Sequence, residues 1–95
     1  MAVTQVSTAP SRELYDSVAK RLDLDGNPPA GLIVHAAAEL PSGEVQIVQV
    51  FETEEAIRAF AETRLFPAFA DAGVEDIAMA GPPPVPLAVF DLVRS

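Results

Sequence analysis

The sequence predicts an α+β fold in which one four-stranded antiparallel sheet carries two helices. Segments rich in β-branched residues alternate with segments of helical apolar spacing, in the order strand, helix, strand, strand, helix, strand. The chain has 95 residues and 49% hydrophobic content, which is enough for one core and leaves little for a second. We therefore expect a single ferredoxin-like βαββαβ domain over residues 1–95.

The first strand and helix are predicted by a change of apolar period near Pro10. The segment of residues 2–6 is short and rich in β-branched residues, and turn-forming residues follow it. Over residues 11–22 the apolar side chains recur at helical spacing, with charged side chains elsewhere around the helix. Thr8 or Ser11 can cap the start of this helix, and Gly26 lies in the loop after it.

Two central strands are predicted over residues 31–40 and 44–52, because a short connection containing Gly43 joins two apolar segments as in a hairpin. Neither segment alternates cleanly between polar and apolar residues. Strict alternation puts Leu32, Val34 and Ala36 on one face of the first segment. It puts Ile33 and Ala37 beside His35 on the other face. Both faces of these strands are therefore expected to be buried.

The second helix is predicted to begin after Thr53, whose hydroxyl can cap it, and to carry two glutamates in its first turn. Pro67 lies inside the helical pattern, where it lacks an N–H and crowds the preceding turn. We expect a kink or a restart near Phe66, and an end at Gly73.

The last strand is predicted over residues 87–93, after the stiff and extended linker at residues 81–86. Right-handed crossovers place both helices on one face of the sheet and leave the other face bare. Since the central strands are apolar on both faces, a lone subunit would expose a large apolar patch to water. We therefore expect a homodimer in which two sheets pack face to face.

Composition excludes several classes of function. A net charge of −8 disfavours binding to nucleic acid and to anionic membranes. The chain has no cysteine and only one histidine, so disulfides and metal sites are not expected. No segment approaches the roughly 18 apolar residues of a membrane span, and the first residues do not resemble a signal peptide. We expect a cytoplasmic protein.

Three side chains are candidates for catalysis, and each also has a structural interpretation. His35 can act as a general base on its strand, or can be a hydrogen-bonded core histidine. Arg64 can bind a carboxylate or an enolate oxygen, or can bond to backbone carbonyls near a helix end. Tyr15 can extend its hydroxyl into a cleft between helix and sheet, or can be a core aromatic. The expected walls of a substrate pocket in that cleft are Phe51, Phe60 and Phe66.

Residues 50–60, VFETEEAIRAF, resemble the strand-to-helix signature of the dimeric α-β barrel superfamily, in particular proteins like the antibiotic biosynthesis monooxygenases. In that signature an aromatic residue ends the strand, a small polar or acidic residue caps the helix, and a second aromatic follows two turns later. The later segment RLFP, residues 64–67, is similar to the closing helix segment of the same family.

The resemblance implies a cofactor-independent monooxygenase acting on a small aromatic or polyketide-like substrate. In such chemistry the substrate's own enolate reacts with dioxygen, with His35 as the base and Arg64 or Tyr15 as donors to the oxyanion. Other roles are compatible with the same fold. One alternative is a non-catalytic dimer that binds a small hydrophobic ligand, and another is an isomerase or cyclase that uses the same pocket.

Overall fold

The computed structural model describes residues 1–78, 80 and 84–93. Its sheet has four antiparallel strands: β1 (Val3–Ala9), β2 (Leu32–Glu39), β3 (Val45–Phe51) and β4 (Leu87–Ala88). The strand order across the sheet is β2-β3-β1-β4. Because β3 lies between β1 and β2, the helix that connects those two strands crosses over β3. This is the predicted ferredoxin-like α+β fold.

The register of the strands assigns their side chains to two faces. Val3 of β1 lies opposite Phe51 of β3, and both are buried against the helices. Side chains alternate along each strand, so Val6 and its partner Val48 lie on the opposite, open face. Within one chain the helices cover only one face, so the predicted burial of both faces is not seen in the single subunit.

An irregularity in β2 changes part of the predicted face assignment. Leu32 lies opposite Phe51, but Val34 already lies opposite Val50, so Ile33 is an extra residue in the ladder. Leu32 therefore packs on the helix side, together with His35 and Ala37, while Val34 lies on the open face. The prediction that Leu32 and Val34 share a face is wrong, because a bulge shifts the alternation between them.

The first helix, α1 (Arg12–Leu22), follows the prediction closely. The Ser11 hydroxyl accepts a hydrogen bond of 3.2 Å from the N–H of Leu14 and so caps the helix. At the other end Asp23 adopts a left-handed conformation, and its N–H bonds to the carbonyl of Ala19. These two caps set the ends of α1.

The second helical region consists of four pieces: α2 (Glu54–Phe60), a π-helical stretch (Ala61–Leu65), α3 (Phe66–Ala72) and a short α4 (Glu75–Ala78). Thr53 caps α2 by accepting a bond of 3.1 Å from Ala56, as predicted. The backbone stays helical through the π-helical stretch, and the α-helical hydrogen-bond pattern resumes at Phe66 with Pro67 next to it. Gly73 ends α3 in the left-handed conformation, also as predicted. The short α4 was not expected.

The core lies between the sheet and these helices. It contains one layer of fully or nearly buried apolar side chains: Val3, Val18, Leu22, Phe51, Ile57, Phe60 and Ala68. On the surface, an ion pair of 2.7 Å between Arg21 and Asp71 joins α1 to α3.

The last strand is much shorter than predicted. Only Leu87 and Ala88 pair with β1, and one further bond of 2.9 Å runs from the N–H of Val89 to the carbonyl of Ala2. Phe90 is fully exposed. The residue types at 87–93 favour an extended backbone. A strand forms only where a neighbouring strand supplies backbone hydrogen bonds, and β1 supplies them to Leu87 and Ala88. Of the predicted linker at 81–86, residues 81–83 lie outside the described residues, and so do residues 94 and 95 of the chain.

The open face of the sheet carries apolar side chains with no helix over them. Val6, Val34 and Leu87 are 52%, 42% and 60% exposed, and Val48 and Val50 lie between them. In the described part of the chain, no helix is both long and apolar enough to cross a lipid bilayer.

Candidate functional site

Tyr15 and His35 form a hydrogen-bonded pair between α1 and the sheet. The Tyr15 hydroxyl lies 2.8 Å from Nε2 of His35, and the two rings are nearly parallel with centroids 6.3 Å apart. Tyr15 is on the inward side of α1, and the bulge in β2 leaves His35 on the helix side of the sheet. Two of the three predicted catalytic residues are thus in direct contact.

A shallow groove of about 270 Å³ reaches Tyr15 from the solvent. We call it the Tyr15 groove. It lies between the start of α1 and the end of β2, and it is lined by Arg12, Tyr15, Ala37, Ala38, Glu39 and Val45. His35 does not line it. A molecule in the groove would therefore contact Tyr15 and not His35.

The surroundings of Tyr15 keep its hydroxyl protonated. Burial raises the pKa of Tyr15 above its usual 10.0, and the nearby carboxylate of Asp16 raises it further, while Arg12 opposes the rise. A phenol in this state is a hydrogen-bond donor at neutral pH. It can give its proton to the imidazole only if it receives another in exchange.

Arg64 lies in a different and larger groove, of about 470 Å³, which we call the Arg64 groove. The segment before β2 and the start of the second helical region form its walls, with Pro28, Pro29, Glu52, Ala56, Phe60 and Arg64 among the lining residues. The guanidinium of Arg64 donates to the carbonyl of Leu22 at 2.5 Å and lies 5.9 Å from the centre of the Phe60 ring. Arg64 thus binds the last turn of α1 and is not a lining residue of the Tyr15 groove.

The three predicted pocket walls lie in different surroundings. Phe51 is completely buried and packs against Phe60 with ring centroids 5.7 Å apart. Phe60 also reaches the Arg64 groove. Phe66 is 41% exposed and packs on Phe69. None of the three lines the Tyr15 groove, so they do not form one pocket around the Tyr15–His35 pair.

A buried polar residue, Gln49, escaped the sequence reasoning. It lies directly opposite His35 on β3, on the helix side, and is only 9% exposed. Across the sheet its other neighbour is Gln5 of β1. The signal was available: Gln49 shares its strand face with Val45 and Phe51, where a core residue is expected.

The charged and polar groups near these grooves do not gather into a metal site. Over residues 1–78, 80 and 84–93, no group of three His, Asp or Glu side chains comes close enough to hold a metal ion. The chemistry that this arrangement can perform itself is proton exchange between the phenol and the imidazole.

Comparison with known proteins supports the fold. The chain is similar to the structure of Rv0793 from Mycobacterium tuberculosis, with a TM-score of 0.70 over 99% of this chain and 100% of that chain. The two sequences are 13% identical, so the likeness extends to the fold alone. No protein-family model matches the chain. A search of curated proteins found no significant match.

Proposed function

We propose that this protein is a cofactor-independent, monooxygenase-like enzyme in which Tyr15 contacts a small enolisable aromatic substrate and His35 accepts the proton. One observation supports the proposal above others: the 2.8 Å hydrogen bond between Tyr15 and His35, next to a solvent-accessible groove that Tyr15 lines. The resemblance of residues 50–60 to the antibiotic biosynthesis monooxygenases agrees with this chemistry.

The proposed step is a proton relay. Tyr15 accepts a proton from the acidic carbon of the substrate while its own hydroxyl proton passes to Nε2 of His35. The resulting carbanion reacts with dioxygen. In the complete reaction a methylene group becomes a carbonyl, one oxygen atom enters the product, and the other leaves as water. His35 acts through Tyr15, which differs from the expectation that the imidazole contacts the substrate directly.

The groove suits part of such a substrate. Its volume of about 270 Å³ is just below the roughly 300–1,000 Å³ of most ligand pockets. Ala37 and Val45 give it apolar contacts, and Arg12 and Glu39 are at its polar rim. We infer that the ring edge bearing the reacting carbon enters, and that the rest of the molecule remains outside.

The test uses anthrone, an aromatic ketone with an acidic methylene, as the probe. We expect the protein to consume one dioxygen for each anthraquinone formed. Tyr15→Phe and His35→Gln should each lower the rate by about 100-fold or more, since each removes one partner of the relay. Lys20→Gln, on an exposed side of the same helix, is the matched control and should leave the rate unchanged.

Other outcomes lead to other conclusions. Exchange of the methylene protons with solvent in the absence of oxygen uptake would replace the monooxygenase by an isomerase or cyclase that uses the same pair. If neither exchange nor oxygen uptake differs from the reaction without protein, the enzyme proposal is wrong.

A second candidate function is non-catalytic binding of a small hydrophobic ligand, and the Arg64 groove favours it. This groove of about 470 Å³ has the volume of an ordinary ligand pocket. Its walls are largely apolar. Ala59 also lines this groove, and Ala59→Phe would reduce its volume. Anthrone binding that Ala59→Phe weakens and Tyr15→Phe leaves intact would therefore support this candidate.

We further propose that the working unit is a homodimer joined through the open faces of two sheets. The exposure of Val6, Val34 and Leu87 on one face supports this arrangement, because a patch of this kind is unfavourable in water. A second copy of the same face is complementary to it in apolar character.

A further inference from the structure

Gln49 and His35 each have one buried polar atom without a partner. Within the part of the chain that the structure describes, neither Oε1 of Gln49 nor Nδ1 of His35 has a hydrogen-bond partner, and both atoms are inaccessible to water. Burying such an atom without a partner is unfavourable, because its hydrogen bonds to water are lost and not replaced. A single hydrogen bond between these two atoms would satisfy both of them.

The two side chains are neighbours by strand register. Gln49 and His35 are directly opposite each other in the β2–β3 pair and project from the same face of the sheet. The Cβ atoms of such a pair are about 4.5–5.5 Å apart, so an amide and an imidazole can meet. Neither atom lines either groove, so an external ligand does not reach them.

The chemistry of the two atoms is complementary only in one protonation state of the ring. An amide oxygen can only accept a hydrogen bond, so the ring must carry its proton on Nδ1. Nε2 then has a free lone pair, and the Tyr15 hydroxyl donates to it. In the other tautomer Nε2–H donates to Tyr15, and Nδ1 is an acceptor that Oε1 of Gln49 cannot satisfy.

We propose that Gln49 is a positioning residue: the structure records no hydrogen bond between the two atoms, but rotation of the Gln49 side chain lets its amide oxygen accept the Nδ1–H of His35 and thereby keeps Nε2 free to accept the proton of Tyr15. The direction of the relay is thus set from the sheet side. This inference deepens the proposed function and rests on it for its catalytic meaning, but the tautomer itself is a property of the free protein.

The test is the ¹⁵N spectrum of the His35 ring, which is the only histidine in the chain and needs no assignment. In the unliganded protein we expect the proton on Nδ1. In Gln49→Leu the tautomer ratio should shift by about fivefold or more toward Nε2–H, which corresponds to the loss of one hydrogen bond. Gln49→Glu keeps an acceptor and should keep the proton on Nδ1.

Gln5→Leu is the matched control. Gln5 is the other neighbour of Gln49 in the same row of side chains, but it is two strands away from His35 and its amide nitrogen donates to the carbonyl of Pro84. It should leave the ratio unchanged. A proton on Nε2 in the unliganded protein, or the same ratio in Gln49→Leu, would overturn the proposal.

Different results would contradict the enzyme proposal and the proposed role of Gln49. If the protein turns over no substrate, the enzyme proposal is lost while the tautomer result stands. If turnover is normal and Gln49→Leu alters neither the spectrum nor the rate, the role of Gln49 is lost while the Tyr15–His35 relay stands. Far-ultraviolet circular dichroism shows whether Gln49→Leu is folded, and Gln49→Glu gives a second measurement if it is not.

Discussion

At the scale of single residues, Tyr15 determines what a molecule entering from solvent would meet. It is the only tyrosine, and the chain has no tryptophan, so its ionisation can be followed by ultraviolet absorbance without interference. Its partner His35 is 20 residues away in sequence and could not be assigned to it from spacing alone. The contact exists because α1 and β2 are brought together by the fold.

Tyr15 should titrate above its ordinary pKa. Burial and Asp16 raise the pKa of Tyr15 in the folded state above 10.0, so the unfolded chain loses this proton first as pH increases. The resulting contribution to stability is complete below pH 10.0 and is lost as pH rises through the folded-state pKa. Titrations by absorbance in buffer and in guanidinium measure both values.

Asp16→Asn offers a check on the cause of that shift. It removes the one charged group that raises the pKa of Tyr15 while leaving burial, the larger cause, in place, so the folded-state pKa should fall but remain above 10.0. A wild-type pKa at or below that of the unfolded chain would show that the hydroxyl is solvated, and would weaken the case for a buried relay.

At the scale of elements, the bulge between Leu32 and Val34 decides which side chains share a face. Leu32 and His35 are both on the helix side only because Ile33 is an extra residue in β2. Alternation in the sequence gives the correct faces for His35 and Ala37 but the wrong one for Leu32. A bulge depends on the partner strand, which the β2 sequence does not contain.

The start of β2 should be sensitive to substitution at Gly31. Gly31 has a φ of +83°, and an added Cβ would lie 2.8 Å from the Cβ of Ala56 in α2. Gly73 has a similar φ of +73° but no atom near an added Cβ. We expect Gly73→Ala to lower the free energy of unfolding by about 1–2 kcal/mol. Gly31→Ala should lower the free energy of unfolding by about 1–3 kcal/mol more than Gly73→Ala does, because its added Cβ meets Ala56.

Urea denaturation of the two variants isolates the close approach, because the strain of a positive φ is common to both. Equal losses would show that the segment before β2 moves away from α2 without cost. The walls of the Arg64 groove would then be adjustable, since Gly31 and Ala56 both line it.

At the scale of the whole molecule, the proposed homodimer would cover the open face of the sheet with the same face of a second copy. Light scattering should give about twice the 10.0 kDa mass of one chain. Val48→Lys, in the middle of that face, should shift the protein toward one chain by placing a charge in the interface. Ala70→Lys, exposed on α3, is the control and should not change the mass.

A wild-type mass of one chain at micromolar concentration would contradict the homodimer. It would leave the fold unaffected, since the core between sheet and helices is formed within one chain. If Ala70→Lys rather than Val48→Lys reduced the mass, the association would involve the helices and not the open face.

The sequence by itself determined the order of elements, the caps at Ser11 and Thr53 and the helix restart at Phe66. These features depend on residues within about four positions of each other, so local pattern is sufficient to predict them. It also marked Tyr15, His35 and Arg64 as candidates, through their uniqueness or their place on an apolar side.

Only the tertiary structure decided which candidates meet. It pairs Tyr15 with His35, places Arg64 on the carbonyl of Leu22, 42 residues away, and puts Gln49 beside the imidazole. It also limits the last strand to two residues. The physical reason is the same in each case: these contacts depend on strand register, on one bulge and on how helices cross the sheet, and chain neighbours do not determine any of them.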